Sequence, residues 1–385
     1  MQLSVSVEKK KVIHIIKGLG RGGAERLLVS TIRNAGPGWS YEVVYFLKDR
    51  DALVPDLSAL NVKVTCLSSF GVPGMFLRLP ALVALLRSHH AYVIHAHLPW
   101  SGIIARLAGW LTGIPVVYTE HNLFNHYNGL TRFFNSFTYR LQNRVIAVSD
   151  QVEMAIPARF KSLVPVSVIN NGVDLLEFNP SLFNRQALLK KAGLPANAFV
   201  IGNVASIRPQ KRMDRWISIS EIVLSQIPNA HFLLVGDGKE LEALRLRKVM
   251  MKHGNRVHLV GLQPEPAPWL AIMDVFLMSS DFEGLPVALL EAMAMGCIPV
   301  VTPVGGIPGV VTENENGYLY EGDDLSRASD RIIQLVGDPD LCLRLSESAK
   351  KTVTNKFSIY RMVQNLELIY RNLLNPGRLN QLNPN

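Results

Sequence analysis

VFLMSSDFEGLPVALLEAMAMGCIPVV, residues 275–301, sets the fold class of this chain. The apolar runs Val275–Met278 and Pro299–Thr302 predict two buried strands. Between them, Pro286 suits the first turn of a short helix, and Gly296 suits its C-terminal cap. A strand, a helix and a second strand in this order predict a parallel α/β sheet.

The same alternation extends in both directions from this stretch. The second half contains further predicted strands at Phe199–Ala205, His231–Gly236, Val257–Val260 and Gly317–Tyr320. The first half contains predicted strands at Val12–Ile16, Glu42–Phe46, Lys63–Leu67, Val93–His97, Val116–Thr119 and Val145–Val148. A linker is expected just after VSVINNGVD, residues 166–174, because a strand there runs into the turn dipeptide Asn171-Gly172.

We therefore expect an α/β protein of two Rossmann-like α/β/α lobes, since 385 residues can bury two separate cores. The first lobe is predicted to span 1–178 and the second 179–356. Residues 357–375 are predicted to form a helix that packs back on the first lobe, and 376–385 a flexible tail. Ligands bind beyond the carboxyl ends of strands in such sheets, so the lobes are expected to face a central cleft.

The composition limits the classes of function. The formal net charge is +9, and residues 1–180 hold 18 lysines and arginines against 11 acidic residues. This basic surplus suits a phosphorylated substrate or an anionic membrane surface, but the chain lacks the interleaved aromatics of common RNA-binding modules. No nucleic-acid partner is expected. Cys66, Cys297 and Cys342 are odd in number and fit no metal-ligand spacing, which indicates a reducing compartment.

The apolar segments of the sequence are too short or too interrupted for a membrane span. The run near residues 12–16 is too short for a signal peptide, and the stretch 101–118 is broken by Arg106 and Gly113-Ile114-Pro115. We expect a cytoplasmic protein, soluble or peripheral at the inner face of the plasma membrane.

Two loops carry features typical of phosphate binding. GLGRGGAE, residues 18–25, follows the first strand and lets backbone N–H groups approach a phosphate at a helix N-terminus. A tight turn or a dinucleotide fingerprint would look similar, although Asp49 lies late for the latter. In ASIRPQKR, residues 205–212, Lys211 is the favoured cation for a diphosphate, and Arg208 is an intermediate case. Arg212 and Arg215 continue into a helix and are interpreted as solvated.

Two glutamates and three histidines complete the candidate set. Glu283 precedes the helix that starts near Pro286, and Glu291 lies further along it, while Gly284 and Leu285 offer backbone N–H groups to an anion. A paired-carboxylate hydrolase is the alternative for these glutamates. Three histidines, His95, His97 and His121, close first-lobe strands. His95 is interpreted as a packed interior residue, and no metal site is expected because cysteine and carboxylate ligands are missing.

Taken together, six segments resemble the family-4 glycosyltransferases, which are retaining enzymes of the GT-B fold. The segments are GGAE (22–25), TEH (119–121), INNGVD (169–174), RPQK (208–211), LLVGDG (233–238) and EGLPVALLEAMAMGCIPVV (283–301). Glu283 and Glu291 match the E-x7-E signature of that family, and Val304-Gly305-Gly306 follows it. The similarity covers nearly the whole chain.

The resemblance implies roles for named residues, with the acceptor in the first lobe and the donor in the second. The implied catalytic residues are His121, Arg208, Lys211 and Glu283. The implied donor-binding residues are Gly22, Gly23, Ser206, Gly236, Gly261, Gly284, Leu285, Pro286 and Glu291. This chain departs from the family pattern at Ala205-Ser206 in place of Gly-Arg, at Arg212 in place of glycine and at Gly309 in place of glutamate. Arg208 is the candidate to replace the arginine that is absent at Ser206.

The resemblance also implies a reaction and its partners. A UDP- or GDP-sugar would serve as co-substrate, without cofactor or metal, and the acceptor would be a saccharide or a polyprenyl-linked saccharide. Cell-surface polysaccharide or lipopolysaccharide biosynthesis is the expected process. The aromatic and basic stretches 70–78 and 132–140 suit an anionic membrane surface, or else their aromatics pack against neighbouring helices. The alternatives are an inactive nucleotide-sugar- or polysaccharide-binding protein and an NAD-dependent dehydrogenase.

Overall fold

A computed structural model describes residues 9–375 of the chain. The chain divides into two compact units, of which unit 1 comprises the described residues up to Asn171 and from Ile359 onward, and unit 2 comprises Gly172–Ser358. The sequence placed the corresponding boundaries at 178/179 and 356/357. The predicted flexible tail, 376–385, lies outside the described residues.

Unit 1 is built on a parallel seven-stranded sheet. Its strands are β1 (Lys10–Ile16), β2 (Trp39–Tyr45), β3 (Lys63–Cys66), β4 (Val93–His97), β5 (Val116–Glu120), β6 (Arg144–Ala147) and β7 (Val166–Val168), in the spatial order β3-β2-β1-β4-β5-β6-β7. All five residues of β4 and of β5 are buried. Strands covered on both faces read as continuous apolar runs, which is why the sequence pattern located them.

Helices connect these strands. They are α1 (Gly23–Arg33), α2 (Val54–Ala59), α3 (Gly71–Leu77), α4 (Leu79–Ser88), α5 (Pro99–Thr112), α6 (Gly129–Thr138), α7 (Asp150–Ala155) and α8 (Ala158–Lys161). Within residues 9–375, no single helix is long and apolar enough to cross a membrane. Helices α3 and α4, which meet at an angle of 53°, are together long and apolar enough by length and composition alone.

Unit 2 repeats the architecture with six parallel strands. They are β8 (Phe199–Val204), β9 (Ala230–Val235), β10 (Val257–Gly261), β11 (Val275–Met278), β12 (Ile298–Val301) and β13 (Tyr318–Leu319), in the order β10-β9-β8-β11-β12-β13. Its helices are α9 (Arg185–Lys191), α10 (Met213–Gln226), α11 (Leu241–Met250), α12 (Ala267–Leu270), α13 (Val287–Ala294), α14 (Leu325–Gly337) and α15 (Pro339–Lys356). The two parallel sheets with their helices confirm the predicted α/β class.

The C-terminal helix α16 (Ile359–Leu374) belongs to unit 1. The backbone N–H of Gly36 donates a hydrogen bond to Oε1 of Glu367 on this helix, at 2.7 Å. Tyr370, which is fully buried, packs edge-on against Trp39 with ring centroids 5.3 Å apart. Apolar burial and a partly buried hydrogen bond therefore hold α16 against unit 1.

Candidate active site

Both sheets reverse their strand order at one point, between β1 and β4 in unit 1 and between β8 and β11 in unit 2. Ligands of open α/β sheets bind at this switch point, beyond the carboxyl ends of the strands. The loops that leave these strand ends carry most of the residues selected from the sequence. The geometry of each unit is described separately below.

The ion pair between Lys211 and Glu283 is the central contact of the unit 2 site. Nζ of Lys211 lies 2.5 Å from Oε1 of Glu283, and the two side chains are only 17% and 8% exposed. Lys211 comes from the loop after β8, and Glu283 comes from the loop after β11. The topology of unit 2 therefore brings together two of the four predicted catalytic residues.

The three arginines near Lys211 differ in whether a carboxylate holds them. Arg212 and Arg215 are held by carboxylates, because both contact Asp281 and Arg212 also contacts Asp214 at 2.8 Å. Arg208 is exposed, and no side-chain partner for it is found among residues 9–375. Of these three arginines, Arg208 alone has a guanidinium group available to an anion.

Close packing of glycine backbone shapes the loop around Glu283. The N–H of Gly306 donates to the carbonyl of Gly284 at 2.5 Å. Gly305 has φ +55°, and a Cβ atom there would lie 2.0 Å from the carbonyl oxygen of Glu283. Only glycine fits both the backbone conformation and the space. The VGG segment thus fixes the loop that carries Glu283.

Helix α13 begins one residue later than the sequence predicted. Pro286 is its N-cap residue, and Gly296 with φ +86° follows its C-terminus. Glu291 is 6% exposed, so it lies on the inner side of the helix rather than on the protein surface. Leu285 is 4% exposed in the turn before the helix. This burial supports the choice of Glu291 as a site residue over its interpretation as a surface charge.

The remaining donor-binding candidates of unit 2 lie where β8, β9 and β10 end. The N–H of Gly236 donates to the carbonyl of Gly261 at 2.8 Å. Gly236 has φ +143°, and a Cβ there would lie 1.8 Å from the carbonyl oxygen of Ala205, the neighbour of Ser206. The strand ends therefore approach each other too closely for any other residue at position 236.

Unit 1 places Gly22 and Gly23 at the start of α1. Gly22 is the N-cap with extended φ and ψ of −87° and 166°, and no side chain caps the helix. Ala24, the next residue of this helix, lines a small cavity together with His95, His97 and His121. The cavity measures about 20 Å³, which is room for one water molecule.

Four histidines form a chain of contacts at the carboxyl ends of β1, β4 and β5. His14 is paired in register with His95, and Nδ1 of His14 lies 2.9 Å from Nε2 of His97. Nδ1 of His97 lies 3.3 Å from Nε2 of His121. Burial lowers the pKa of His14 to about 3 and that of His121 to about 4. These imidazoles are therefore neutral at pH 7, and they hydrogen-bond without adding charge.

Three of these histidines form the one cluster within residues 9–375 whose spacing would suit a metal ion. Ligand nitrogens of His14, His95 and His97 lie within 4.8 Å of one another. Both nitrogens of His95 are already engaged, by the hydroxyl of Tyr370 at 2.6 Å and the hydroxyl of Thr119 at 2.7 Å. Metal ligation by His95 would break a buried hydrogen bond. The metal-free reaction stays a prediction.

A buried polar network lies next to His121. Arg106, which is fully buried, donates from Nε to Gln142 at 2.7 Å and from Nη1 to the side chain of Asn135 at 2.5 Å. Its guanidinium lies 4.6 Å from the ring centroid of Tyr118, whose hydroxyl donates to Glu120 at 3.3 Å. The hydroxyl of Tyr127 donates to the same carboxylate. The carboxyl group of Glu120 thus holds together two segments that flank His121.

Two family models match the chain. The model described as "Glycosyltransferase Family 4" matches residues 21–176, and the model described as "Glycosyl transferases group 1" matches residues 184–352. The chain belongs to the family-4, group 1 glycosyltransferases. The site residues predicted from the sequence all lie within the two matched segments. The candidate site of this glycosyltransferase therefore belongs to the regions by which its family is recognised.

Named relatives of this glycosyltransferase span most of its length. An Escherichia coli protein named UDP-Gal:alpha-D-GlcNAc-diphosphoundecaprenol alpha-1,3-galactosyltransferase is 27% identical to this chain. The alignment covers 75% of this chain and 78% of the E. coli protein. N-acetyl-alpha-D-glucosaminyl L-malate synthase of Bacillus anthracis is 29% identical over 83% of this chain and 85% of its own. The crystal structure of Anabaena HepE with UDP-glucose has a TM-score of 0.84 at 21% identity, covering 94% and 99% of the two chains, and it shows the shared GT-B fold.

Three residues that contact the candidate site residues or lie close to them could not be selected from the sequence. Tyr370 joins the histidine cluster from a position 275 residues beyond His95, and no local pattern marks it. Asp281, which occupies two arginines, gave no signal beyond its neighbourhood to Glu283. Arg106 was interpreted only as a break in an apolar stretch. A charged residue on an otherwise buried helix could have indicated a buried polar partner.

Proposed function

We propose that this glycosyltransferase moves a hexose from a UDP- or GDP-sugar to a hydroxyl group of a lipid-linked saccharide, with retention and without a metal ion. The observation that carries this proposal is the shielded pair of Lys211 and Glu283. One member is a cation that can bind a diphosphate, and the other is a carboxylate that can accept hydrogen bonds from sugar hydroxyls. A nucleotide sugar presents both chemistries side by side.

The residues around this pair support a donor site in unit 2. Lys211 and the exposed Arg208 provide the positive charge for the diphosphate, and Glu291 accepts hydrogen bonds from the ribose hydroxyls. UDP is favoured over GDP because the name of the E. coli relative specifies UDP-Gal and HepE was solved with UDP-glucose. Gly284, Leu285 and Pro286 would supply backbone contacts to the phosphate and the sugar.

The proposed chemistry needs no side-chain nucleophile. The bond between the anomeric carbon and the diphosphate oxygen breaks while the acceptor hydroxyl forms a bond on the same face of the sugar. The proton of that hydroxyl passes to an oxygen of the departing diphosphate. Lys211 and Arg208 stabilise the negative charge that develops there, which is the role that a metal ion fills in other enzymes.

His121 is proposed as a neutral hydrogen-bonding partner for a sugar hydroxyl. Its lowered pKa keeps the imidazole uncharged at pH 7, and its contact with His97 limits its ring orientation. A neutral imidazole can both donate and accept a hydrogen bond, which suits a hydroxyl group. It need not act as a general base.

The proposed acceptor is a saccharide on a polyprenyl carrier, used in cell-surface polysaccharide or lipopolysaccharide synthesis at the inner face of the plasma membrane. The name of the E. coli relative specifies a diphosphoundecaprenol acceptor. Unit 1, to which the resemblance assigns acceptor binding, carries the basic surplus of the chain. Anionic carriers and membranes attract such a surface.

The proposal is tested by measuring nucleotide binding and sugar transfer with the full chain. UDP, GDP, ADP and their sugars are screened by thermal shift and calorimetry, because a ligand that binds the folded state raises its stability. One nucleotide should bind, and Glu291→Gln should weaken it at least about tenfold, as expected for a lost charge-assisted contact. Glu242→Gln, on the exposed face of α11, is the matched control.

The outcomes separate the candidate functions. Donor binding with transfer to a membrane extract supports the proposal, and product anomeric configuration read by NMR tests retention. Donor binding without any transfer or donor hydrolysis would favour an inactive nucleotide-sugar-binding protein. Binding of NAD in preference to every nucleotide sugar would overturn the proposal in favour of a dehydrogenase.

A further inference from the structure

Helix α6 exposes three apolar side chains on one face and buries Thr131, Asn135 and Thr138. Leu130, Phe133 and Phe137 are 63%, 64% and 73% exposed and lie on one face of the helix. The opposite face supplies the polar groups that hydrogen-bond Arg106 in the interior of unit 1. The buried arginine therefore fixes which face of α6 points inward, and the apolar face is left outside. We call Leu130, Phe133 and Phe137 the α6 ridge.

The apolar surface continues from the α6 ridge to helix α3. Phe76 of α3, Trp100 of α5 and Phe134 of α6 form an aromatic cluster with ring centroids 6.0 to 6.4 Å apart. Phe70, the N-cap residue of α3, is 98% exposed, and Leu77 at its C-terminal end is 82% exposed. Exposed apolar side chains grouped on one surface are typical of sites that meet a partner or a membrane.

A groove of about 420 Å³ lies beside the ridge. Its lining includes Phe124, Asn125, Arg132, Ser136 and Arg159. Both arginines are exposed, and neither makes an ion pair within residues 9–375. No carboxylate holds either guanidinium group, in contrast to Arg212 and Arg215 of unit 2, although the guanidinium of Arg159 lies over the ring of Phe160, 4.8 Å from its centroid. Planar guanidinium groups bind phosphate oxygens in pairs.

The sequence around the groove is almost free of negative charge. Between Asp56 and Asp150 the sole acidic residue is Glu120, which is 1% exposed. The same stretch contains seven lysines and arginines: Lys63, Arg78, Arg87, Arg106, Arg132, Arg140 and Arg144. No exposed carboxylate of this stretch would repel a phosphate on the ridge side of the groove. Glu153, which lies just beyond it, is paired with Lys161 at 2.7 Å.

We propose that this groove binds the phosphate groups of the lipid carrier of the acceptor, while the α6 ridge rests in the membrane surface. The inference rests on the proposed function, because it names the part of the acceptor that unit 1 recognises. A general attraction to anionic lipid would need only scattered cations such as Arg140. The concave site with two unpaired arginines instead fits a discrete diphosphate.

The position of the groove along the chain connects it to the predicted catalytic histidine. Phe124 begins a single helical turn, Phe124–His126, only three residues after His121. The turn is tied back by the hydrogen bond from Tyr127 to Glu120. Three residues span at most about 11 Å, so we expect the first sugar of a carrier held in the groove to lie near His121.

The test compares three arginine changes in the full chain with farnesyl diphosphate as the probe. The double variant Arg132→Ala/Arg159→Ala should weaken the affinity for farnesyl diphosphate, measured by calorimetry, at least about tenfold. Arg140→Ala removes an exposed arginine of the same basic stretch that does not line the groove, and its affinity should stay close to that of the wild type. All three positions are exposed, and equal melting temperatures would confirm intact folding.

Vesicle binding distinguishes the carrier diphosphate from phospholipid headgroups. With vesicles of equal parts phosphatidylcholine and phosphatidylglycerol, the Arg132/Arg159 double variant and Arg140→Ala should co-sediment alike, whereas Phe133→Ser/Phe137→Ser should co-sediment less. If the double variant and Arg140→Ala lose farnesyl diphosphate affinity equally, the groove is not a discrete site and the proposal is overturned. The proposal would also be overturned if the double variant bound vesicles less well but kept its affinity for farnesyl diphosphate.

A separate measurement distinguishes a failure of the groove assignment from a failure of the proposed function. Nucleotide-sugar binding is followed by thermal shift in the same variants and should be unchanged in all of them. Normal donor binding with unaltered farnesyl diphosphate affinity would overturn the groove assignment alone. Failure of every nucleotide sugar to bind the wild type would instead overturn the proposed function.

Discussion

The ammonium group of Lys211 and the carboxylate of Glu283 are 2.5 Å apart, although 72 residues separate them in the sequence. The contact joins the loops that leave β8 and β11, the two neighbouring strands at which the sheet of unit 2 reverses its order. An ion pair so poorly exposed to solvent keeps its geometry at ordinary ionic strength, because salt screens it weakly. Each of these two predicted catalytic side chains therefore holds the other in position.

Removal of this cation should impair the chemical step. Lys211→Ala should lower kcat by about 10²–10³, because a fixed charge at the leaving group is lost. Arg212→Ala is the matched control, since Arg212 is held by Asp214 and Asp281, and its kcat should remain near the wild-type value. Steady-state kinetics with saturating donor make the comparison. A Lys211→Ala enzyme that retains more than a third of the wild-type kcat would exclude Lys211 from the mechanism.

The backbone contact under Glu283 should tolerate no side chain. Gly305→Ala should destabilise the protein by about 2–4 kcal/mol, because the left-handed conformation and the clash with the Glu283 carbonyl are both unfavourable. Gly309→Ala should change stability by less than about 0.5 kcal/mol, since its Cβ would meet nothing within 4 Å. Denaturant unfolding measures both variants. Equal stabilities would show that the loop can move away at little cost.

Glu120 should make stability depend on pH in a defined direction. Burial raises the pKa of Glu120 to about 7 from its ordinary value of 4.5, so the folded protein keeps the proton longer than the unfolded chain does. Its contribution is therefore fully present below pH 4.5 and is lost as the pH rises through 7. Between pH 5 and pH 8 the wild type should lose about 2–3 kcal/mol relative to Glu120→Gln.

Denaturant unfolding of both proteins across this pH range checks the prediction. The neutral histidines of unit 1 have the opposite effect on stability. Their pKa values are lower in the folded protein than in the unfolded chain, so they lower the free energy of unfolding as the pH falls below 6.5. Glu120→Gln retains these histidines, so their effect cancels in the difference between the two proteins. A difference that stays constant from pH 5 to pH 8 would show that the Glu120 carboxyl titrates normally.

Metal removal should leave the reaction unaffected. Because Lys211 and Arg208 are proposed to balance the charge of the departing diphosphate, kcat should be the same with and without EDTA. The Arg208→Ala variant extends the test, since it should lose activity that added Mg²⁺ does not restore. Activity that EDTA abolishes and Mg²⁺ or Mn²⁺ recovers would contradict the proposed mechanism.

The central strands of both sheets could be predicted from the sequence because all of their residues are buried. Runs such as Val93–His97 and Val275–Met278 are buried throughout, and their ends were located within a few residues. The start of α13 was predicted one residue early, because Pro286 suits an N-cap as well as a first turn. Local sequence constrains a helix end to about this accuracy.

The candidate site could be predicted in its residue types but not in its contacts. Lys211 and Glu283 were both selected from their loops, yet nothing local indicates that they touch. The partner of His95 comes from α16, which only the tertiary fold brings to β4. The exposure of Phe133 and Phe137 follows from the burial of Arg106, an energetic preference of the whole unit rather than of helix α6.

The return of the chain to unit 1 through α16 has a consequence for biosynthesis. Unit 1 consists of residues before Gly172 and after Ser358, so its last helix is synthesised only after all of unit 2. Until then, His95 lacks Tyr370, and the N–H of Gly36 lacks Glu367. Unit 2 is contiguous and can mature on the ribosome first. Unit 1 should therefore be the last part of the chain to become protease-resistant, and a chain stopped before residue 359 should be degraded by quality control rather than accumulate as a folded protein.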